Sequence, residues 1–287
     1  MISNWSNLLA RRDLLRELVR SELRTSTAET KLGWLWWFLD PLLQMLIYWA
    51  IVVGVLGRGK EQYAPYPVFV LCAIITWKHF STAAGNATKI LRGREPLIKA
   101  VPFPTMVLPI AQVLSNFAFF CFGMAVVFAA SLVFGGENHS GDYGPLVQLP
   151  ALMVLQIIVV AGFALPLACF GALLIDLSGL MVHLLRIAFY ISPGLFGVDM
   201  VEEALKNKLG PKIAEVAWLP DALPSILFSI YMLNPFAILI CGYRKAIFYG
   251  EYLEGQYWLT LVVEAVLLFL IGYRIFQYYD RRVIKFI

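Results

Sequence analysis

Long apolar runs constrain the fold of this 287-residue chain more than any other feature. Several of them approach the roughly 20 residues that an α-helix needs to cross about 30 Å of hydrocarbon. Hydrophobic residues make up 60% of the chain and its mean hydropathy is +0.73, whereas soluble domains are about 45–50% apolar. Backbone groups inside a bilayer must be satisfied within the segment, so such runs fold as helices. The composition predicts an all-α, multi-pass membrane protein.

The apolar runs divide the chain into a short interface segment, residues 1–33, and a membrane domain, residues 34–287. In 1–33, leucines at helical spacing alternate with arginines, which predicts an amphipathic helix lying in the interface. Region 199–256 contains two apolar pieces too short to cross, which predicts interfacial or re-entrant helices. We predict six transmembrane helices, at about residues 34–56, 67–90, 106–134, 147–175, 180–198 and 257–279.

Lysine and arginine are concentrated on one side of these predicted helices. They are frequent in the N-terminal segment, in the loop 89–99 and in the C-terminal tail, whereas the loop 135–145 has none. Short loops rich in these residues stay in the cytoplasm. Both termini are therefore predicted to be cytoplasmic, and no cleavable signal pattern precedes the first span.

The sequence has no motif for an ATPase or a hydrolase. The stretch GVLGRGKE, 54–61, approaches a phosphate-binding loop, but Glu61 stands where a magnesium-binding hydroxyl is required. The four cysteines lie in apolar surroundings without metal-ligand spacing. No basic run indicates a nucleic-acid partner. We therefore expect no metal or cofactor in this chain.

Several sequence blocks carry a resemblance to a known family. They are LGWLW from Leu32, PLLQ from Pro41, RGREPLIK from Arg92 with Pro102 and Pro104, Ser192-Pro193, Asn234-Pro235-Phe236, and Tyr243-Arg244. In this order the blocks resemble the membrane subunit of ABC-2-type polysaccharide exporters, the family that moves O-antigen, teichoic acid and capsule chains. One departure is Asp40, where the family more often has Asn.

The resemblance implies a bacterial cytoplasmic (inner) membrane protein that forms a homodimer with two cytoplasmic ABC ATPase subunits. Those subunits would bind ATP and magnesium, and a channel between the protomers would conduct a lipid-linked glycan amid membrane lipids. An ABC-2 exporter of small drugs or lipids remains an alternative. A glycan-modifying membrane enzyme is another, although no cluster of acids or histidines indicates one. A membrane scaffold would lack a segment for docking the ATPase.

The resemblance also assigns roles at the two ends of the predicted bundle. The loop 91–105 resembles the family's cytoplasmic coupling element, and the expected contacts with the ATPase are Arg92, Arg94, Glu95 and Pro96. The region 199–256 resembles an outer gate, to which we assign Pro193, Asn234, Pro235, Tyr243 and Arg244.

Two further sets of side chains suit a glycan substrate and have a simpler alternative. Aromatic rings on the first span match the apolar faces of sugars, or serve only in packing: Trp37, Tyr48 and Trp49. Basic residues near the first span could hold the phosphate of a lipid carrier, or bind bilayer lipid: Arg20, Arg24 and Lys31. Ionisable residues within spans are expected to face the bundle interior, in structural roles: Lys78, Glu264 and Arg274.

Overall fold

The structure, a computed structural model, describes residues 12–28, 31, 33–57, 63–100, 104–134, 144–209 and 222–286. These residues form helices joined by turns, with no β-strand among them, which confirms the all-α prediction. The helices are α1 (Arg12–Ala28), α2 (Trp36–Trp49), α3 (Tyr66–Gly93), α4 (Glu95–Ala100), α5 (Val107–Phe134), α6 (Leu149–Leu173), α7 (Leu177–Ile191), α8 (Val198–Glu203), α9 (Leu223–Tyr231), α10 (Pro235–Arg244) and α11 (Gly255–Phe286).

Five described helical segments are long and apolar enough to cross a membrane. They are Phe38–Val55, Tyr66–Gly93, Val107–Phe134, Gly144–Leu173 and Gly255–Asp280. Short π-helical stretches extend α2 to Val55, α8 to Leu209 and α10 to Tyr249.

Helices α9 and α10 form a bent pair that would count as a sixth span only if the two crossed together. The chain bends by 81° between them, at Asn234-Pro235. The Asn234 side chain caps α10 by accepting a hydrogen bond from the Phe236 amide at 3.1 Å. Pro235 occupies the first helical position, where its missing N–H costs no hydrogen bond. Local residues therefore start a new helix here.

The fifth predicted span, 180–198, coincides only in part with α7. This helix has 15 residues, about 22 Å of helix, and it ends at Ile191. Proline restricts the residue before it to extended backbone, and Ser192, before Pro193, has φ −72° and ψ 157°. Residues 192–197 therefore continue the path as irregular backbone.

The predicted loop 91–105 is largely helical in its described part. Helix α3 runs to Gly93, and α4 follows after one residue. Pro96 lies in the first turn of α4, where proline is tolerated. Residues 101–103 lie outside the described part of the chain. They include Pro102, which belongs to the sequence block that carries the family resemblance.

Helix α3 is the centre of the bundle, and α2 lies at its edge. In the membrane-spanning stretch of α3, 78% of the residues are buried, whereas only 6% are buried in the first span. Aromatic rings fix α3 against α10, since Phe80 stacks on Phe236 with ring centroids 4.0 Å apart. Trp77 meets the same ring edge-on at 5.5 Å, a favoured aromatic geometry.

Glycines bring α6 and α11 into close contact. A Cβ built on Gly162 would lie 2.8 Å from the Leu268 carbonyl carbon, and one on Gly272 would overlap the Gly162 carbonyl oxygen. Lipid supplies little hydrophobic driving force between helices, so close packing of this kind stabilises the bundle.

Polar pairs between distant segments define the two ends of the bundle. At one end, Glu22 of α1 binds Arg94; we call this the α4 end. At the other, Tyr63 binds Asp199; we call this the Arg244 end.

Candidate functional site

The residues predicted to contact an ATPase lie at the α4 end. Two of them, Arg92 and Arg94, bind other groups of this chain. Arg92 donates from Nε and Nη2 to the Ala172 carbonyl, at 2.9 and 2.6 Å. This carbonyl belongs to the last turn of α6, which has no helical donor for it. Arg94 Nη2 lies 2.7 Å from Glu22 Oε2. Arg92 lies in the last turn of α3 and Arg94 joins α3 to α4, so this junction contacts both α6 and α1.

The exposed surface of α4 is formed by other residues. Pro96, Lys99 and Ala100 are exposed, and Glu95 is half-buried. Lys99 Nζ pairs with Glu95 Oε1 at 2.7 Å, one helical turn earlier. Of the four predicted contacts with an ATPase, Pro96 is exposed, whereas Arg92, Arg94 and Glu95 are each half-buried.

Helix α1 carries two of the residues assigned to a carrier phosphate. Arg20 is exposed and pairs with Glu17 at 2.9 Å, Arg24 is exposed, and Lys31 lies in an exposed turn beyond the helix. The opposite face of α1 packs Leu15 and Leu18 against a buried cluster. The amphipathic pattern of α1 therefore reflects packing on the bundle as well as exposure.

Arg244 forms the polar centre of the opposite end. It is only 3% exposed, and its guanidinium donates four hydrogen bonds to backbone carbonyls. Nε binds Phe69 at 3.1 Å, Nη1 binds Pro193 at 2.7 Å and Phe196 at 2.9 Å, and Nη2 binds Gly194 at 2.7 Å. The guanidinium carbon also lies 3.5 Å from the centre of the Phe69 ring.

Among the described residues, no carboxylate pairs with Arg244, so backbone dipoles and an aromatic face compensate its buried charge. Buried polar groups need partners, and irregular backbone at membrane depth must satisfy its own carbonyls. Arg244 meets both needs, since it satisfies the carbonyls of the irregular segment that follows α7.

Hydrogen bonds link three of the five predicted outer-gate residues to the segment that follows α7: Pro193, Asn234 and Arg244. The Asn234 amide donates to Ser192 Oγ at 2.9 Å, which ties the α9–α10 turn to the end of α7. Pro193 accepts from Arg244, and Pro235 begins α10. Tyr243 lies apart, fully buried with its ring 5.7 Å from Phe120.

Tyr63 extends the Arg244 end into the segment before α3. Its hydroxyl donates to Asp199, with Oδ2 at 2.9 Å, and accepts from the Gly197 amide at 3.2 Å. Burial raises the pKa of Tyr63, and the Asp199 carboxylate raises it further. The phenol therefore keeps its proton, and this contact persists, at ordinary alkaline pH.

A cavity of about 360 Å³ opens between α2, α3 and α5. Lys78 and Asp40 form an ion pair at its wall, and Asp40 Oδ1 accepts from Gln44 at 3.2 Å. Asp40, which stands where the resembled family more often has Asn, therefore joins α2 to α3 through an ion pair.

Two of the three predicted channel aromatics, Tyr48 and Trp49, do not line this cavity. Tyr48 packs against Phe189, with ring centroids 6.0 Å apart, and Trp49 is 44% exposed. The side chain of Trp37 lies outside the described part of the chain. The indole that does line the cavity belongs to Trp36.

The cavity also contains side chains that sequence reasoning missed. His79 and the amides Gln112 and Asn116 line it, and Gln156 lies behind His79 at 3.0 Å. The available signal was the presence of amides within apolar spans, which is uncommon and points to the bundle interior.

Of the ionisable residues predicted to face the bundle interior, Lys78 pairs with Asp40, whereas Glu264 Oε2 is buried without a hydrogen bond in the described structure. No group of three potential metal ligands occurs among the described residues.

The helical fold and the sequence together define an ABC transporter membrane subunit. The sequence profile of the ABC-2 type transporter family matches residues 13–207, about two thirds of the chain, and the protein belongs to that family. The profile spans α1 to α8, so it includes the coupling segment and the cavity.

Curated relatives resemble nearly the whole chain. It is 25% identical to the O-antigen export system permease protein RfbA of Myxococcus xanthus, over 96% of each protein. It is 24% identical to the protein of the same name from Klebsiella pneumoniae, over 92% of this chain and 91% of the relative. The polysialic acid transport protein KpsM of Escherichia coli is 22% identical, over 82% of this chain and 81% of the relative.

Proposed function

We propose that this chain is the channel-forming membrane subunit of an ATP-driven exporter that moves a lipid-linked polysaccharide across the bacterial cytoplasmic membrane. The observation that carries the proposal is the near full-length similarity to permeases named for O-antigen export. A third relative, named for polysialic acid transport, extends the substrate class to capsule-type chains.

The exporter would be a homodimer bound to two cytoplasmic ATPase subunits. ATP and magnesium would be held by those subunits, and this chain would supply no cofactor site of its own. The α4 end would then face the cytoplasm together with both termini, and the Arg244 end would face outward.

The contacts of α3 support a mechanical role in coupling. This helix reaches from Phe69, whose carbonyl binds Arg244, to Arg92, whose side chain binds the end of α6. Since α4 follows α3 after one residue, a force on α4 would act on the Arg92 end of this 28-residue helix. ATP binding to the partner would move α4, and α3 would transmit the movement to the Arg244 end.

Reconstitution tests the function directly. The protein and its ATPase partner are incorporated into liposomes, and ATP hydrolysis is measured with and without a lipid-linked glycan. We expect the glycan to stimulate hydrolysis and to become accessible to a glycan-cleaving enzyme on the far side. Absence of stimulation by every lipid-linked glycan tested would contradict the proposal.

A matched pair of variants separates two roles for Arg94. Arg94→Ala removes its contact with Glu22 and any contact with the ATPase, whereas Glu22→Gln removes only the first. If Arg94 contacts the ATPase, Arg94→Ala uncouples hydrolysis from transport and Glu22→Gln does not. Equal defects in both variants would assign the effect to the docking of α1.

Labelling of single cysteines tests the orientation. Lys99 on α4 and Lys206 after α8 are both exposed. In a chain freed of its native cysteines, a membrane-impermeant thiol reagent added to intact spheroplasts should label Lys206→Cys but not Lys99→Cys. The reverse pattern would contradict the proposed topology.

A further inference from the structure

We infer that the cavity between α2, α3 and α5 binds one neutral sugar residue, and the inference rests on the proposed export function. Its polar groups include an ion pair, three amides, a hydroxyl and an imidazole, with aromatic rings beside them. None of these residues belongs to the predicted coupling, channel or carrier-phosphate sets.

Asn116 gives the first indication of a ligand site. The residue is 5% exposed and lines the cavity, yet its amide nitrogen has no hydrogen-bond partner among the described residues. An unsatisfied buried donor is costly. Rotation about the terminal side-chain torsion, which is broad for asparagine, would turn this N–H group toward the cavity.

The hydrogen bonds behind His79 determine which nitrogen of its ring carries the proton. Gln156 donates from Nε2 to the Thr76 carbonyl at 3.1 Å, and the same nitrogen lies 3.0 Å from His79 Nδ1. A carbonyl oxygen must receive a donor, so the amide NH₂ faces both groups, and Nδ1 is the acceptor. A neutral ring then carries its proton on Nε2, which makes no hydrogen bond of normal geometry in the described structure, although the ring also interacts with the Val113 backbone.

The charges of the cavity favour a neutral ligand over a phosphate or a uronate. Its cation, Lys78, already pairs with Asp40, and its other carboxylate, Glu22, already pairs with Arg94. An anion needs a cation or several convergent donors to replace its hydration. Hydroxyl groups, which both donate and accept, match the remaining donors and the free acceptor positions of Asp40.

The size and lining of the cavity agree with a single ring. Its volume of about 360 Å³ lies at the lower end of small-molecule sites, which span about 300–1,000 Å³. Trp36, Phe119 and Phe120 supply apolar surface beside the polar groups. Such a mixture suits the C–H faces and hydroxyl edges of a sugar.

The position of the cavity provides a route for a lipid-linked substrate. Glu22 of α1 and Trp36 at the start of α2 contribute to its lining, so it opens where the amphipathic helix meets the first span. A sugar whose lipid stays in the bilayer could enter there without crossing the hydrocarbon core.

Saturation-transfer NMR tests the inference with defined probes. The full-length protein is placed in phosphatidylethanolamine–phosphatidylglycerol nanodiscs, with empty nanodiscs as blanks. The neutral probes are the methyl glycosides of glucose, galactose, mannose and N-acetylglucosamine; methyl glucuronide and glucose 1-phosphate are the anionic probes. Octyl β-glucoside below its micelle concentration tests a sugar that is attached to a lipid chain.

Asn116→Leu is the informative variant, and Gln256→Leu, the same change at an exposed position on α11, is its control. We expect at least one neutral probe to bind, and Asn116→Leu to weaken that binding about 3- to 10-fold, the effect of one hydrogen bond. Because the amide nitrogen is unsatisfied, the melting temperature of Asn116→Leu should stay within about 2 °C of the wild type or rise. Binding of octyl glucoside alone would assign the site to the sugar nearest the lipid.

Three results would overturn the inference: no neutral probe binds, Asn116→Leu binds as well as the wild type, or the anionic probes bind more tightly. The liposome assay keeps the two proposals separate. Glycan-stimulated hydrolysis without probe binding would reject the sugar site alone. Probe binding that depends on Asn116, without any stimulation, would count against export.

Discussion

Replacement of Arg244 by methionine should destabilise the Arg244 end more than any surface change. Four charge-assisted hydrogen bonds would be lost, each contributing about 1.5–3 kcal/mol, or roughly 6–12 kcal/mol in total. Removal of the guanidinium also removes a desolvation cost of several kcal/mol, and methionine fills part of the volume. We therefore expect a net loss of about 3–5 kcal/mol, or a melting temperature lower by roughly 6–20 °C.

The assay can use cysteines that are already present. Cys72 and Cys241 are buried free thiols, so a thiol-reactive fluorophore in a thermal ramp reports the opening of the bundle around Arg244. Arg244→Lys should also be destabilised, because an ammonium group cannot reach four carbonyls in the geometry of a planar fork.

The control is Arg282→Met, an arginine that is exposed on α11 and contacts the Tyr278 ring at 5.2 Å. Its loss should cost less than about 1 kcal/mol. If Arg244→Met melts within about 2 °C of the wild type while Arg282→Met does the same, the argument that carbonyl contacts hold this end together is wrong.

Three other predictions concern packing, charge and pH. Gly272→Ala should destabilise the protein by about 1–3 kcal/mol through overlap with α6, whereas Gly85→Ala, where a Cβ meets nothing within 4 Å, should stabilise it by about 0.5–1 kcal/mol; equal melting temperatures would refute the close contact. Lys78→Met and Asp40→Asn should each destabilise the protein, and a double-mutant cycle should give a coupling of about 1 kcal/mol; additive effects would mean that the pair does not interact. The pKa of Tyr63 is raised in the folded state, so its contribution to stability is complete below about pH 10 and is lost above it; Tyr63→Phe should show a shallower alkaline loss of stability, and identical pH profiles would contradict this.

Local sequence was sufficient to predict much of the architecture. Residues 106–134 were predicted as a span and form α5 at Val107–Phe134, because an uninterrupted apolar run has no alternative to a helix in a bilayer. The turn at Asn234-Pro235 was equally local, since the capping side chain and the first helical residue are adjacent.

The candidate sites were less accessible to sequence reasoning. Arg244 was singled out by resemblance, but its carbonyl partners come from residues about 50 and 175 positions away. Asn116 was missed, because a single amide in an apolar helix does not reveal which face it occupies or what lies opposite. Arg94 was predicted to contact an ATPase, and no sequence pattern indicated its contact with Glu22, 72 positions earlier.

The sequence by itself determined the helices, their order and the break at Asn234-Pro235, because apolar length, proline and capping act over a few residues. Only the tertiary structure decided that Lys78 meets Asp40 and that Arg244 binds four carbonyls. Those features depend on groups far apart in the chain, and their free energies exist only once the helices have packed and water has been excluded.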